Sequence, residues 1–542
     1  MKKLTYLLAL TILLLTTLIT GCTSTTDLTL EPANQDNKTV TPANPISSTE
    51  DMDKNQDLSD TNKPTATNIP NKPATATPIS NESVKSDTES EVIQDPDTVS
   101  DSIGNSLKTS DNSEVNETPK RSTYVTVSSA VSPPTFFRKT GYDSFPETIQ
   151  EEFSDALESE FGAASYKMGI SASVYKDGTL WSESLGFASE DTPLTPDMPL
   201  GVMSTSKTFL SALILKQISQ GLYTLDSQVS DLLSQNKGYQ SVNPEFMPDA
   251  TVRDLLIMRS GIGAETENKR AKAMVMLAPT WEPANMLKLI DKKPVPSGSF
   301  QYTNGNSVLL GLIAEESGGL PLHELYQEHL FGPLDIQAGL RPVINIPPTM
   351  ANPYAVRSRY GANPMFGDSL DSLGFGDLTT IKMYGDTDFR SADGRIQWST
   401  SGIVTTVENM AYWGYSLLSP NGSAILSEIR DELKTSIVDE TIELAAGPQK
   451  YGYHIATRTH LLENGETILT FGHPGGGGGY SSALFYAPSL DLSVSLLANS
   501  DLTFDNIGTC GERGQHWINP LDCIARDFFR TIMDHDGGAS AQ

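Results

Sequence analysis

The sequence predicts an α+β domain in which one antiparallel sheet is assembled from both ends of the domain and flanked by helices, with a largely helical second region between. Three observations carry this expectation. Strand patterns with turn signals lie near residues 170–187 and return at 451–497, helical patterns fill the chain between them, and a last helical pattern follows near 520–533. The composition is globular from roughly residue 135 to 538, which sets the bounds expected for this domain.

Each element has a local reason. Pro146 to Phe161 opens with a proline and acids and reads as an amphipathic helix. Ile170 to Tyr175, Asp177-Gly178, and Leu180 to Phe187 read as a hairpin, because that dipeptide accepts the positive φ angles of a two-residue turn. Ser204 to Gln220 is a helical pattern ending at Gly221, and Thr251 to Arg259 is another, with Asp254 three residues after its cap. Asn306 to Ser317 and Thr406 to Leu418 complete the helical middle. Strands are expected at Tyr451 to Leu461, Thr467 to Phe471 after the turn Asn464-Gly465, Ser481 to Tyr486, and Leu490 to Leu497 around Pro488-Ser489. Pro520 to Met533 is the closing helix, and no internal repeat is seen.

The first quarter of the chain is of another kind. Met1-Lys2-Lys3 is a short basic start, Leu4 to Ile19 is an apolar run too short for a comfortable membrane span, and Gly21-Cys22 follows. Residues 1–21 read as an export signal. Ile19-Thr20-Gly21-Cys22 resembles the lipobox of bacterial lipoproteins, which implies lipidation of Cys22 and a membrane anchor; a plain secretory signal is the alternative. Thr23, in place of an aspartate, favours the outer membrane of a double-membraned envelope. Residues 22–134 are rich in Thr, Ser, Asn, Asp and Pro, and no aromatic residue appears there before Tyr124. Such a stretch buries too little apolar surface to offset its ordering entropy, so it reads as a disordered tether.

The net charge of −29 argues against a nucleic-acid partner, whose phosphates call for Lys and Arg. Of three cysteines, Cys510 and Cys523 remain after Cys22; in an exported protein they can close a disulfide loop, with two free thiols as the alternative. The spacing of the histidines holds no metal motif: His323 and His329 do not share a helix face, no HExxH is present, and His454 and His460 fall in a strand pattern. The oligomeric state is open.

Three stretches can carry chemistry. Ser204-Thr-Ser-Lys207 puts a serine and a lysine one helical turn apart, so an amine can reach a hydroxyl that needs a base. The spacing alone is weak, since Ser234-Gln-Asn-Lys237 repeats it, but only Ser204 has the apolar neighbours Val202, Met203, Phe209 and Leu210 that would desolvate the lysine and lower its pKa. Tyr302-Thr-Asn304 precedes an apolar helical run. His473-Pro-Gly475 begins a run of five glycines between two strand patterns, where a backbone can approach another group closely and aim its N–H bonds at it.

In this order, Ser204-x-x-Lys207, Tyr302-x-Asn304 and His473-x-Gly475 resemble the three motifs of the serine hydrolases related to class C β-lactamases and to D-alanyl-D-alanine carboxypeptidases of the same fold, a group with many esterases. The flanking segments TVRDLLIMRSGI, SFQYTNGNSVLLGLI, QWSTSGIVTTVENMAYW and GHPGGGGGYSSALFYAP agree, and the resemblance covers nearly everything after Ser144. It implies a β-lactamase/transpeptidase-like fold. It also implies Ser204 as the acylated nucleophile, Lys207 as its partner in proton transfer, and Tyr302 as an acid or base drawn toward phenolate by the amine. Asn304 would bond the substrate or the lysine, and the backbone N–H groups of Ser204 and Gly476 would form the oxyanion hole. No metal or organic cofactor is implied.

One departure bears on substrate. The residue at the centre of the third motif is Pro474, where the resembled enzymes carry a threonine whose hydroxyl helps hold a substrate carboxylate; proline has neither that hydroxyl nor an N–H. His473 would be positive only at mildly acid pH or beside a group that raises its pKa. The expected activity is therefore hydrolysis of a small ester, amide or peptide with an uncharged leaving group, esterase-like first. A D-Ala-D-Ala carboxypeptidase, endopeptidase or β-lactamase is the alternative, and an idle wall-peptide or partner-binding lipoprotein is the third reading. Residues 352–386 are expected to form a lid over the site.

Overall fold

The computed structural model describes residues 131–354 and 390–539, apart from 165–166, 190, 267, 277–280, 445–446, 463, 501 and 503–519. The chain divides into two units, residues 1–109 and 110–542, and the described residues belong to the second. The expected signal, Cys22, most of the tether, Cys510 and nearly all of the expected lid lie outside the described residues.

Helix α1 (Glu147–Ala163) begins after Pro146 and buries Ile149, Phe153, Ala156 and Leu157, one stripe at helical spacing. Strands β1 (Gly169–Lys176) and β2 (Thr179–Ser189) pair antiparallel around the expected turn, where Asp177 has φ 41° and Gly178 φ 83°. The short strands β3 (Thr192–Pro193) and β4 (Leu200–Gly201) follow. A 3-10 turn, Met203–Ser206, leads into α2 (Lys207–Ser219). Helix α3 (Val252–Leu256) carries the expected capping box between Thr251 and Asp254 but is shorter than the pattern suggested, since the chain turns away at Met258 with φ 58°. Then come α4 (Asn304–Gly318), β5 (Ala338–Leu340), α5 (Arg390–Ser401), which is interrupted at Trp398, β6 (Ile403–Thr405), α6 (Val407–Leu418) and α7 (Ser427–Thr435).

The last third returns to strand: β7 (Ile442–Leu444), β8 (Gly447–Tyr451), β9 (Ala456–Leu461), β10 (Thr467–Gly477), β11 (Tyr480–Ala487) and β12 (Leu492–Ala498), followed by α8 (Pro520–Ala539). The single strand expected over Tyr451 to Leu461 is two strands. Gly452 is packed so tightly that a Cβ there would sit 2.3 Å from Ser436 Oγ, and the chain turns through His454, with φ 51°, before β9 starts. His454 is thus a turn residue and not a strand residue.

The main sheet runs β3-β2-β1-β12-β11-β10-β9-β8-β7 and its neighbours are antiparallel. Strand β1 pairs with β12 from Ile170↔Ala498 to Tyr175↔Ser493, so one sheet is built from both ends of the domain, as expected. One face is covered by α1 and α8, with Phe153 4.9 Å from Phe528 and 5.2 Å from Trp181 between ring centroids. The other face carries α6 and the helical region, whose core includes Phe209 stacked on Trp413 at 4.0 Å. A separate small sheet, β4-β6-β5, lies beside the 3-10 turn: Leu200 pairs with Thr405, and the Ile403 amide donates to Ser206 Oγ.

Strand β9 follows β10 only as far as Ala456↔Gly472, whereas β11 follows it to Tyr480↔Gly477. From His473 to Gly477 one edge of β10 is therefore left open by β9. The glycine run is also not the loop its composition suggested, because Gly475 to Gly477 finish the strand and only Gly478 and Gly479 make the turn.

Candidate active site

Ser204 is half-buried in the 3-10 turn, and Lys207, fully buried, is the first residue of α2. Met203, just before the serine, has φ 48°, a left-handed backbone that is strained for a non-glycine residue and held by its surroundings. Those surroundings are polar clamps from the sheet. Thr205 Oγ1 donates to the His473 carbonyl at 3.0 Å and lies 2.8 Å from Ser482 Oγ, and Ser482 Oγ donates to the Val202 carbonyl at 2.7 Å. The serine turn is thereby fixed against β10 and β11.

Lys207 Nζ lies 3.4 Å from Ser204 Oγ, 3.0 Å from Asn304 Oδ1 and 2.9 Å from the Thr400 carbonyl oxygen. Burial lowers the pKa of this amine to about 7, with the Glu265 carboxylate opposing the shift. A neutral amine has two N–H bonds and one lone pair. Asn304 and Thr400 can only accept at these atoms, so they take the two N–H bonds and the lone pair is left for Ser204 Oγ. That is the geometry of a base beside a nucleophile.

Tyr302 lies on the segment that enters α4, with Lys207 Nζ 5.1 Å from its ring centroid and a hydrogen bond between its hydroxyl and Ser204. Burial pushes its phenol far above the usual value, the bond to Ser204 acting in the other direction. The expectation of a phenolate is corrected: desolvation, the largest influence on this hydroxyl, favours the uncharged phenol. Tyr302 is thus held as a phenol, and Lys207 is free to accept a proton once the pH exceeds about 7.

At the third motif His473 is buried, and burial, then the Lys207 charge, lower its pKa to about 3. Its Nδ1 lies 2.6 Å from the Pro474 carbonyl, which can only accept, so the ring proton is on Nδ1. Its Nε2 then accepts from the Tyr451 hydroxyl at 3.0 Å. The mildly acid charge expected of His473 is therefore corrected to a neutral ring with both nitrogens engaged. Gly475 touches the nucleophile turn itself: a Cβ there would lie 2.7 Å from the Val202 carbonyl oxygen and 2.9 Å from the Ser204 nitrogen. A Cβ on Gly476 would meet nothing within 4 Å.

The structure thus brings Ser204, Lys207, Tyr302, Asn304, His473 and Gly475 together from three separate stretches of chain. The competing pair Ser234 and Lys237 is exposed on the surface. His460 lies on β9, within the strand pattern the sequence showed, and bonds Thr470 Oγ1 at 3.1 Å between Phe485 and Phe529. Cys523 is disulfide-bonded, while its expected partner Cys510 lies outside the described residues. Three participants escaped the sequence reading. The Thr400 carbonyl carries no side-chain signature, Tyr451 looks like any strand tyrosine, and Glu265 stands in a loop 39 positions before Asn304.

With the geometry in place, comparison with known proteins is informative. A family model described as Beta-lactamase matches residues 155–508. A D-aminopeptidase of Cereibacter sphaeroides is 24% identical over 343 residues, 61% of this chain and 56% of that protein. An unguisins hydrolase of Aspergillus violaceofuscus is 20% identical over 364 residues, 63% of this chain and 60% of that one. The match thus spans less than two thirds of the length of these relatives. Among solved structures, the D-amino acid amidase of Ochrobactrum anthropi SV3 with D-phenylalanine superposes with a TM-score of 0.54 at 16% identity, over 71% of this chain and 100% of that chain. A D-stereospecific amidohydrolase from Streptomyces sp. gives 0.50 at 20%, over 70% and 98%. These superpositions agree with the β-lactamase/transpeptidase-like fold expected from the motifs.

Proposed function

Because the chain belongs to the β-lactamase family and is a serine hydrolase of that fold, we propose that it cleaves an amide or ester bond of a small substrate whose leaving group carries no carboxylate, through an acyl-enzyme on Ser204. The observation that carries the choice of leaving group is the third motif. Both His473 nitrogens are engaged, the ring is neutral, and Pro474 has neither hydroxyl nor N–H, so the motif offers a carboxylate no cation and no side-chain donor.

In the proposed reaction Lys207 Nζ takes the Ser204 proton as Oγ attacks the carbonyl carbon. The oxyanion accepts from the backbone N–H groups of Ser204 and Gly476, the first fixed by the clamped turn and the second at a position open to the cleft. Tyr302 gives its phenolic proton to the departing amine or alkoxide and regains one from Lys207. Water then attacks the acyl-enzyme with Lys207 again as base, releasing the acid and restoring Ser204.

Esters remain a proposed substrate class because they follow the same route with a better leaving group. Amides are supported by the names of the relatives, a D-aminopeptidase and a D-amino acid amidase. A carboxypeptidase acting on D-Ala-D-Ala termini is disfavoured by the same third motif. The proposed setting is the bacterial envelope, most simply the outer membrane, with Cys22 as lipid anchor; the Ile19-Thr20-Gly21-Cys22 sequence supports it, and Cys22→Ala should release the protein from membranes.

The test is kcat/KM for D-phenylalanine amide, p-nitrophenyl acetate, a peptide ending in D-Ala-D-Ala, and a penicillin, beside Ser204→Ala. The reading predicts Ser204-dependent turnover of the amide and the ester and a rate at least about 100-fold lower for the two carboxylates, the loss expected from more than one missing charge-assisted contact. A carboxylate-terminated peptide as the best substrate would overturn it.

A further inference from the structure

Glu265 holds the loop that carries Asn304. Its Oε1 accepts from Thr303 Oγ1 at 3.0 Å and from the Gly305 backbone N–H at 2.8 Å, one bond on each side of Asn304. The Thr303 side chain at the N-cap of α4 accepts from no backbone amide of the helix, and Glu265 supplies the acceptor for the Gly305 amide at the helix start. The loop of Glu265 is itself pinned. Glu265 bridges Ile290, the Thr266 amide donates to the Leu289 carbonyl at 2.6 Å, and Gly263 packs so close that a Cβ would fall 1.9 Å from the Lys292 carbonyl oxygen. A carboxylate on a rigid support therefore grips both neighbours of the residue that takes a Lys207 N–H.

We propose that Glu265 is a positioning residue of the proposed reaction: it fixes Asn304 against Lys207, and its charge sets how much of the Lys207 amine carries a proton at a given pH. The inference rests on the assignment of Ser204 and Lys207 as nucleophile and base. The groups that face Lys207 are Ser204 on its own turn, Tyr302 and Asn304 at the start of α4, His454 in the β8–β9 turn, His473 on β10, and Glu265. Of these Glu265 is the one acid. Both histidines are held neutral by burial and Tyr302 is held as a phenol, so through the neutral pH range no other side chain among them supplies a negative charge.

The sign follows from that placement. Lys207 must be unprotonated to act, so kcat/KM rises with pH through its titration, and a carboxylate nearby moves that rise upward. Glu265→Gln keeps the Oε1 acceptor and removes the charge, so the acid limb should move to lower pH by at least about half a unit with thermal stability nearly unchanged. Glu265→Asp keeps a charge and should leave the limb nearer that of wild type. Glu265→Ala removes acceptor and charge together and should also lower kcat, since Asn304 loses its support.

The experiment is the pH profile of kcat/KM with p-nitrophenyl acetate, which has no amino group, for wild type and the three variants, with melting temperatures measured alongside. A Gln profile superimposed on wild type would overturn the proposal. So would an effect of Glu265→Gln that appears with D-phenylalanine amide but not with the acetate ester, because the carboxylate would then act on the substrate and not on Lys207. Loss of the underlying catalytic assignment would show separately, as a wild-type enzyme whose turnover does not depend on Ser204.

Discussion

A Cβ on Gly475 would lie 2.9 Å from the backbone nitrogen of Ser204, closer than real Cβ atoms approach. The third motif thus presses against the nucleophile turn through a residue that has no side chain, and the five-glycine run divides into positions with different tasks. Gly475 is a contact and Gly476 is an opening.

This division predicts opposite fates for two small changes. Gly475→Ala must move the serine turn or β10 and should cost about 1–3 kcal/mol, as overpacking does, together with most of the activity. Gly476→Ala places its methyl in open space, and should fold with an unchanged melting temperature while altering KM through the cleft. Chemical denaturation and steady-state kinetics of the pair check this; equal stability loss in both would contradict it.

Lys207 predicts a trade of stability against function. In the unfolded chain the amine titrates near 10.5 and in the folded protein near about 7. Between those values the unfolded state holds a proton that the folded state lacks, so the stability Lys207 contributes is present above 10.5 and is lost as pH falls toward 7. The difference of 3.5 between 10.5 and 7 corresponds to on the order of 5 kcal/mol at most. Lys207→Met should be inactive, and its stability relative to wild type should grow as pH is lowered across that window. A pH-independent difference in denaturation midpoint would contradict the buried, neutral amine.

Tyr451 and His473 supply a spectroscopic prediction. With Nδ1 protonated toward Pro474 and Nε2 accepting from Tyr451, the His473 ring nitrogens should keep one set of nitrogen shifts from about pH 5 to pH 9, since the ring titrates at about 3. Tyr451→Phe leaves that buried acceptor without its donor and should cost about 1–3 kcal/mol. An imidazolium signal for His473 appearing near pH 6 in the wild-type protein would reopen the case for a carboxylate-binding site.

What the sequence revealed and what it hid divide along the range of the interactions. The Asp177-Gly178 turn, the Thr251 and Asp254 cap and the Ser204 to Lys207 spacing are local, because a turn's φ angles and a helix's pitch act within four residues. They were legible as written. The grip of Glu265 on Thr303 and Gly305, the Tyr451 bond to His473 and the Thr400 carbonyl under Lys207 join residues far apart in the chain, and no local pattern announces them. The charge states of Tyr302 and His473 were hidden for a related reason: the resemblance implied a phenol drawn toward phenolate and the sequence left His473 positive only at mildly acid pH or beside a group that raises its pKa, but the depth of burial decides, and burial belongs to the assembled fold.

The central claim is that Ser204, served by Lys207, is acylated. The most direct measurement is the intact mass of the full-length protein after brief exposure to a fluorophosphonate at pH 8, beside Ser204→Ala and Lys207→Met. The account predicts one adduct in the wild type, mapping to Ser204, none in Ser204→Ala, and a rate in Lys207→Met lower by about 100-fold or more, the scale of a lost general base. An adduct of undiminished rate in Ser204→Ala, or on another serine, would contradict it.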